Sequence, residues 1–303
     1  MNLVVDLLSF DDIRYLAKVG VKNVIVSDGN FGIKGEVSCT PSEIESIRIE
    51  TNQLAIKLFV NVNSLFHESE LSKLEEYISF LFNLNVDYII FSDMAVYMFA
   101  RRMGKAKKLI FASETFVTNN FEVNYWIDRV SSAIISNELS LEELMDMSKN
   151  AKSEVGYMVY GYHSMFYSKR ELLTNYFTYK GKNDKGIVNN RNLRIVEEIR
   201  EDQYPIVQDE KGTHIYTGKI FCLFKELIEF ENTNLKNLFI SANFIDKSNY
   251  FRVIEIYQRA IFALESNSFM GLRDQLFEEL VAIDSNINTS HLYSKSVLSK
   301  AGD

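Results

Sequence analysis

Short apolar runs alternate with helix-length segments along most of the chain. The runs cover residues 1–7, 23–27, 57–62, 86–92, 109–113, 132–136, 154–160 and 235–242. They are continuously apolar rather than alternating, which is typical of parallel strands that are covered on both faces. Two of the segments between them begin with a capping box, at Thr40 and at Ser140. The pattern predicts an α/β fold, a TIM-like (β/α)8 barrel.

The β/α rhythm is interrupted between the seventh and the eighth run. The segment there is polar, and two apolar stretches, 204–208 and 213–217, flank a turn as the strands of a β-hairpin would. We therefore predict an insertion at about 180–217 within a single barrel domain that covers residues 1–264. Residues 265–303 are predicted to form a C-terminal helix and tail.

The stretch 154–176 joins the seventh apolar run to a polar cluster. A glycine, Gly161, follows the run, and a short helix is predicted at the end of the stretch. The cluster between them contains His163, Ser164, Met165, Tyr167, Ser168, Lys169 and Arg170. A buried strand that delivers such a cluster is typical of a functional site.

Polar residues also lie at the ends of most of the other apolar runs or directly after them. In a (β/α) barrel the active site lies at the carboxyl ends of the strands, so these residues are candidates for a common mouth. They are Ser27, Asp28, Asn61, Asn63, Ser92, Asp93, Ser113, Glu114, Ser136, Asn137, Glu138, Ser241 and Asn243. For any single residue, an ordinary loop start is the simpler interpretation. As a ring, they predict a mouth lined by carboxylates and amides.

The composition is that of an ordinary globular protein. A net charge of −8 over 303 residues argues against indiscriminate binding of polyanions by the whole surface. The longest apolar runs are far shorter than a membrane span, and the first residues lack the features of a signal peptide, so we expect a cytoplasmic protein without membrane contact. Two cysteines, Cys39 and Cys222, do not suffice for a cysteine-based metal site.

Several residues of the stretch 154–176 resemble the signature of a known family. The pattern is Gly161, Met165, Tyr167, Ser168, Arg170, Leu172 and Leu173 after a hydrophobic strand. It is similar to the signature of the collagenase-like peptidases, peptidase family U32. The segments that contain Asn63, Asp93, Glu114, Asn119 and Glu138 are similar to the barrel-mouth motifs of that family. The resemblance covers nearly the whole chain and implies the same barrel.

The resemblance also implies an iron–sulfur cluster, for which this chain lacks the ligands. Family members that resemble oxygen-independent hydroxylation or RNA-modifying proteins hold the cluster on four cysteines. Here Ser164 and Glu171 stand at two of those places, residues 180–200 contain no cysteine, and Cys222 alone matches. One thiolate does not hold a cluster. We therefore expect a subunit that binds no cofactor alone and supports tRNA uridine hydroxylation beside a larger paralogue that carries the cluster.

Two other functions stay open. The first is a collagenase-like peptidase that uses a divalent metal, ligated by His163 with Glu138 and Glu154. Its candidate catalytic residues are Asp93, Glu114, Glu138, Glu154, His163 and Tyr167. A buried histidine bonded to a backbone carbonyl explains His163 more simply, and the chain has neither the zinc-protease helix motif nor a nucleophile elbow. The second is a non-catalytic scaffold that binds a small molecule.

A basic and aromatic segment follows the seventh strand. Its basic residues are Lys169, Arg170, Lys180, Lys182, Lys185, Arg191 and Arg194. Tyrosines and phenylalanines lie before and among them, which suits phosphate contacts and base stacking, although a solvated loop beside an aromatic core gives the same pattern. These residues apart from Lys185, together with Asn63, Asn119 and Ser168, are the candidate substrate-binding residues, and tRNA is the expected substrate.

Overall fold

The computed structural model describes residues 1–33, 35–113, 115–182, 185–198 and 202–294. The strands are β1 (Asn2–Asp6), β2 (Asn23–Ser27), β3 (Lys57–Val62), β4 (Tyr88–Phe91), β5 (Leu109–Ala112), β6 (Ser132–Ile134), β7 (Val155–Gly161), β8 (Ser164–Ser168), β9 (Arg194–Val196), β10 (Gln203–Asp209), β11 (Gly212–Tyr216), β12 (Ile220–Cys222), β13 (Leu235–Ile240) and β14 (Ile287–Asn288). The helices are α1 (Asp12–Val19), α2 (Pro41–Gln53), α3 (Leu71–Asn83), α4 (Met94–Arg102), α5 (Asn120–Arg129), α6 (Leu141–Asn150), α7 (Leu172–Tyr179), α8 (Lys247–Glu265) and α9 (Phe269–Ile283). Within the described ranges, no helix combines the length and the apolar character that crossing a membrane requires.

Eight of the strands close into a parallel barrel. β1 to β7 are neighbours in chain order, and β13 pairs in parallel with both β1 and β7. This topology confirms the predicted TIM barrel. Both predicted capping boxes are also present, because the side chains of Thr40 and Ser140 each accept the N–H of a glutamate three residues later, and that glutamate bonds back.

The apolar side chains of the barrel strands divide between two cores. The interior of the barrel is filled by Val4, Ile25, Phe59, Ile90, Ile110 and Phe239. The larger core lies between the strands and the surrounding helices. Successive side chains of a strand point to opposite faces, so both cores are needed to bury a continuously apolar run. Because the interior is packed, ligands have access only at the ends of the barrel.

A four-stranded antiparallel sheet, in the order β8, β11, β10, β9, is inserted between β7 and β13. β10 and β11 form the predicted hairpin. The inserted sheet begins at Ser164 rather than at about residue 180, because β8 pairs with β11. Gly212 has a φ of 132°, and a Cβ at this position would overlap the carbonyl group of Ser168. Glycine is therefore required where β8 and β11 approach each other.

The insertion lies beside three loops at the carboxyl ends of the barrel strands. Lys169 Nζ donates to Glu70 Oε2, at 2.6 Å, just before α3. Arg191 donates to Glu36 in the loop between β2 and α2, and to Asn243 in the loop between β13 and α8. These bonds hold the insertion against the loops after β2, β3 and β13.

Candidate functional site

A small cavity opens at the carboxyl ends of the barrel strands. Its volume is about 140 Å³, and inner-core residues such as Ile25, Ile90 and Phe239 form its floor. Its wall contains six residues of the predicted polar ring, namely Asn61, Asn63, Ser113, Asn137, Ser241 and Asn243. An apolar floor with a few convergent polar groups is the usual construction of a ligand pocket. We call this space the mouth cavity.

Asp6, the last residue of β1, supplies a carboxylate to the mouth cavity. Its Oδ2 accepts the N–H of Ala242 at 2.9 Å. Burial raises the pKa of Asp6 to about 6; the bonds from Ala242 and Ser241 oppose this rise, and repulsion from Glu36 adds to it. A carboxyl group with this pKa changes protonation near neutral pH. It can therefore donate or accept a hydrogen bond to a ligand.

We expect Asp6 to make the stability of the protein depend on pH. Its pKa of about 6 in the folded protein lies above the ordinary value of 3.8, so the folded state binds the proton more tightly. The resulting stabilisation is complete below the lower value and is lost as the pH rises through the higher one. Relative to Asp6→Asn, the wild type should lose about 2 to 3 kcal/mol of unfolding free energy between about pH 4 and about pH 7. Denaturant titrations of both proteins across this range measure the difference, and a difference that does not change with pH would contradict the expectation.

Arg191 lies beside the mouth cavity, because it donates a hydrogen bond to Asn243, which lines that cavity. Its Nη2 donates to Glu36 Oε2 at 2.5 Å and to Asn243 Oδ1 at 2.8 Å. Its guanidinium lies 4.3 Å from the ring centre of Phe244, and the guanidinium of Arg194 lies 5.5 Å from the same ring. Burial raises the pKa of Glu36, and the charge of Arg191 opposes that rise. Arg191 is therefore near the mouth, as a substrate-binding residue should be, but its charge is paired within the chain.

Two of the predicted site residues cap helices. Asp93 accepts the N–H of Ala95 at 2.8 Å with one oxygen and the N–H of Phe66 at 3.0 Å with the other. Asn119 accepts the N–H of Glu122 at 3.0 Å. The bonds from Ala95 and Glu122 satisfy free N–H groups at helix N-termini, and the bond from Phe66 ties the loop after β3 to Asp93, which accounts for both residues without a ligand. Glu114, predicted to lie near them, is outside the described residues.

The metal site proposed for a peptidase is not formed. Glu154 directly precedes β7 and Glu138 follows β6, so the two exposed carboxylates lie at opposite ends of the barrel. His163 is buried against Phe221, with 4.4 Å between the ring centres, and burial lowers its pKa to about 3. Among the residues that the structure describes, no group of three potential ligands converges. The prediction that His163, Glu138 and Glu154 ligate one metal ion is therefore wrong, because the three side chains do not converge.

Most of the polar cluster after β7 belongs to the inserted sheet rather than to the mouth. Tyr167 stacks on His214 with 4.8 Å between ring centres. The hydroxyl of Ser168 accepts the N–H of the exposed Arg170 at 3.3 Å. Ser164 is the member of the cluster that lines the mouth cavity, as far as the described lining extends. The chain turns away from the barrel axis after β7, which a reading of sequence order alone does not reveal.

A basic and aromatic surface is present at the end of α7. It consists of Tyr176, Tyr179, Lys180, Lys182 and Lys185, all of them exposed, and we call it the α7 tip. The two tyrosines are 54% and 83% exposed, and the ammonium group of Lys180 lies 5.8 Å from the centre of each ring. Exposed aromatic faces beside ammonium groups are the components of a surface that binds single-stranded nucleic acid.

The cysteines do not fit an iron–sulfur cluster. Cys222 is buried in β12, with its sulfur 3.7 Å from the hydroxyl of Tyr257. Burial raises the pKa of Cys222 to about 12, and burial also raises that of Cys39 to about 11. A cluster needs several thiolates at one place, whereas these are the two cysteines of the whole chain and both favour the protonated form.

Sequence reasoning missed two carboxylates close to the mouth, Asp6 and Glu36. Asp6 is followed by Leu7 and Leu8, so it lies inside an apolar run instead of marking its end. A charged residue within an apolar run was the available signal. Glu36 offered no signal, because its place depends on Arg191, which lies 155 residues later in the chain.

Comparisons with known proteins identify the family. The model of peptidase family U32 matches residues 8–299. The chain is 29% identical to "tRNA hydroxylation protein P2" of Bacillus subtilis (strain 168) over 263 aligned residues. The alignment covers 86% of this chain and 85% of that protein. The chain is also 22% identical to "tRNA hydroxylation protein P1" of the same organism over 183 aligned residues. This alignment covers 59% of this chain and 43% of that protein, so the match spans less than half of that relative.

Among solved structures, a dihydrodipicolinate synthase is similar with a TM-score of 0.50 and 9% identity, covering 94% of this chain and 82% of that chain. An identity this low bears on the fold alone, and it agrees with the closed barrel. Since the family model matches nearly every residue, this chain belongs to peptidase family U32.

Proposed function

We propose that this chain is a cluster-less subunit of a tRNA hydroxylation system and works beside a larger paralogue that carries the cluster cysteines. One observation carries the proposal: the family barrel is complete, but its two cysteines do not fit a cluster. The similarity to two Bacillus subtilis proteins, both named for tRNA hydroxylation, supports the substrate class. The P1 relative extends well beyond the matched region, as a larger paralogue would.

The α7 tip supplies the contact with RNA. Lys169 and Arg191 already have carboxylate partners in Glu70 and Glu36, so they bind a phosphate only at the expense of an existing ion pair. The lysines of the α7 tip are exposed, and the ammonium group of Lys180 lies 5.8 Å from the ring centres of Tyr176 and Tyr179. In a protein with a net charge of −8, this local arrangement favours phosphate contacts with base stacking.

The mouth cavity binds a ligand in this proposal and carries out no redox chemistry of its own. Amides such as Asn61 and Asn137 can donate and accept hydrogen bonds, and Asp6 adds a group that titrates near neutral pH. These groups can hold and orient a small ligand or one group of a larger substrate. The oxidation step itself belongs to the partner in this proposal.

Anaerobic co-purification tests the proposal. We expect the chain to co-purify with its cysteine-bearing paralogue and the iron content to follow the paralogue alone. A Cys39→Ser, Cys222→Ser double variant is the matched control, and its complex should contain as much iron as the wild-type complex, because neither thiol is a ligand. Stoichiometric iron in the isolated chain, or a failure to pair with the paralogue, would refute the proposal.

A further inference from the structure

Five large apolar side chains are exposed on α4, on α5 and in the loop before α5. They are Met94, Met98, Phe116, Phe121 and Tyr125, with exposed fractions of 48, 51, 67, 90 and 48%. Two of these residues on each helix are four positions apart, so they share one side of their helix. The two helices are neighbours, because the rings of Tyr97 and Trp126 meet beneath them at 5.8 Å. We call this surface the α4–α5 face.

The α4–α5 face is apolar on a side that is normally polar. A surface helix has one apolar stripe, and in α4 and α5 that stripe is already buried by residues such as Val96, Phe99, Val123 and Ile127. With roughly 200 Å² for each large side chain, the five residues expose on the order of 600 Å². This area is at the upper end of the exposed apolar patches found on monomeric proteins. It approaches the roughly 800 Å² that one partner contributes to a standard interface.

The composition of this face favours a protein partner over RNA. Arg129 lies 3.6 Å from the ring centre of Tyr125 and donates to the carbonyl oxygen of that residue. The charges around the face are mixed, because Asp128 on α5 is paired with Lys152 at 2.7 Å and α4 ends with the exposed Arg101 and Arg102. Methionine and aromatic side chains at the centre, with charge at the margin, are characteristic of protein interfaces.

The position of the face places a docked partner beside the mouth cavity. Ser113 lines the mouth cavity, and Phe116 follows it in the same loop, so the face begins beside the mouth. The insertion is held against the loops after β2, β3 and β13, whereas the α4–α5 face follows β4 and β5. We infer that the α4–α5 face docks the cysteine-bearing paralogue, a second barrel of the same family, next to the open side of the mouth. The inference rests on the proposed function and adds the surface through which the two chains pair.

Charge substitutions on the face test this inference. Phe121→Glu and Met98→Glu each place a carboxylate at the centre of the proposed interface, and each should weaken binding of the purified paralogue by about 30-fold or more. Phe262→Glu is the matched control. Phe262 is 71% exposed on α8 and lies beside Met1 and Asn2 at the opposite end of the barrel, so this variant should bind like the wild type. Sedimentation velocity gives the dissociation constants, and unchanged circular dichroism melting shows that each variant is folded.

The outcomes separate the inference from the proposed function. If the wild type binds the paralogue and both face variants bind equally well, the docking surface is wrong and the partnership stands. If the wild type does not bind the paralogue, both are refuted. If the wild type instead forms a dimer with itself that Phe121→Glu dissociates, the face is an interface but its partner is a second copy, which overturns the inference.

Discussion

Replacing Lys180, Lys182 and Lys185 together with glutamine should flatten the salt dependence of tRNA binding. Each phosphate contact that is lost lowers the magnitude of the slope of log affinity against log salt by about 0.7 to 0.9, so three contacts correspond to a change of about 2 to 3. The lysines belong to the α7 tip, where the exposed rings of Tyr176 and Tyr179 are accessible for stacking on bases. Affinity should be measured across a salt series, for the chain alone and with its paralogue.

A second triple variant controls for the loss of charge. Lys18, Lys22 and Lys105 are also exposed, but they lie at the amino-terminal end of the barrel, far from the α7 tip. Their replacement by glutamine changes the net charge equally and should leave the slope within error of the wild-type value. Equal slopes for both triple variants would mean that the α7 tip makes no phosphate contacts. Undetectable binding by the wild type, alone and in the complex, would remove RNA as its ligand.

The barrel could be predicted from the sequence because its strands are covered on both faces. A strand such as β2, buried along its whole length, needs apolar residues at successive positions, and that requirement is visible in the chain. The capping boxes at Thr40 and Ser140 are likewise local in sequence. β8 was missed because its residues are polar or exposed, and its strand conformation depends on pairing with β11 more than forty residues later.

The sequence predicts a site residue only where the end of a strand is enough to place that residue at the mouth of the barrel. Asn61 lies near the end of an apolar run, Asn63 and Asn137 directly follow such runs, and all three line the mouth cavity. His163 and Glu154 also flank an apolar run, but one is buried beside Phe221 and the other lies at the far end of the barrel. The ring therefore predicts which loops form the mouth. The direction of each side chain depends on tertiary contacts that a single sequence does not display.

Loss of this chain should abolish tRNA hydroxylation in a cell that still contains the paralogue. The proposal assigns the cluster to the paralogue, and it assigns RNA contact and the docking face to this chain. Neither protein is then sufficient, and hydroxylation requires both. Because the proposal gives the two cysteines of this chain no role in the chemistry, the Cys39→Ser, Cys222→Ser variant should replace the wild type fully.

Mass spectrometry of the nucleosides from total tRNA tests this claim most directly. Strains that lack this chain, the paralogue or both should be compared after each gene is returned singly and together. The account predicts that the hydroxylated nucleoside falls to background in all three strains and that the double deletion recovers it only when both genes are returned. Hydroxylation that persists without this chain, or that this chain restores without the paralogue, would contradict the account.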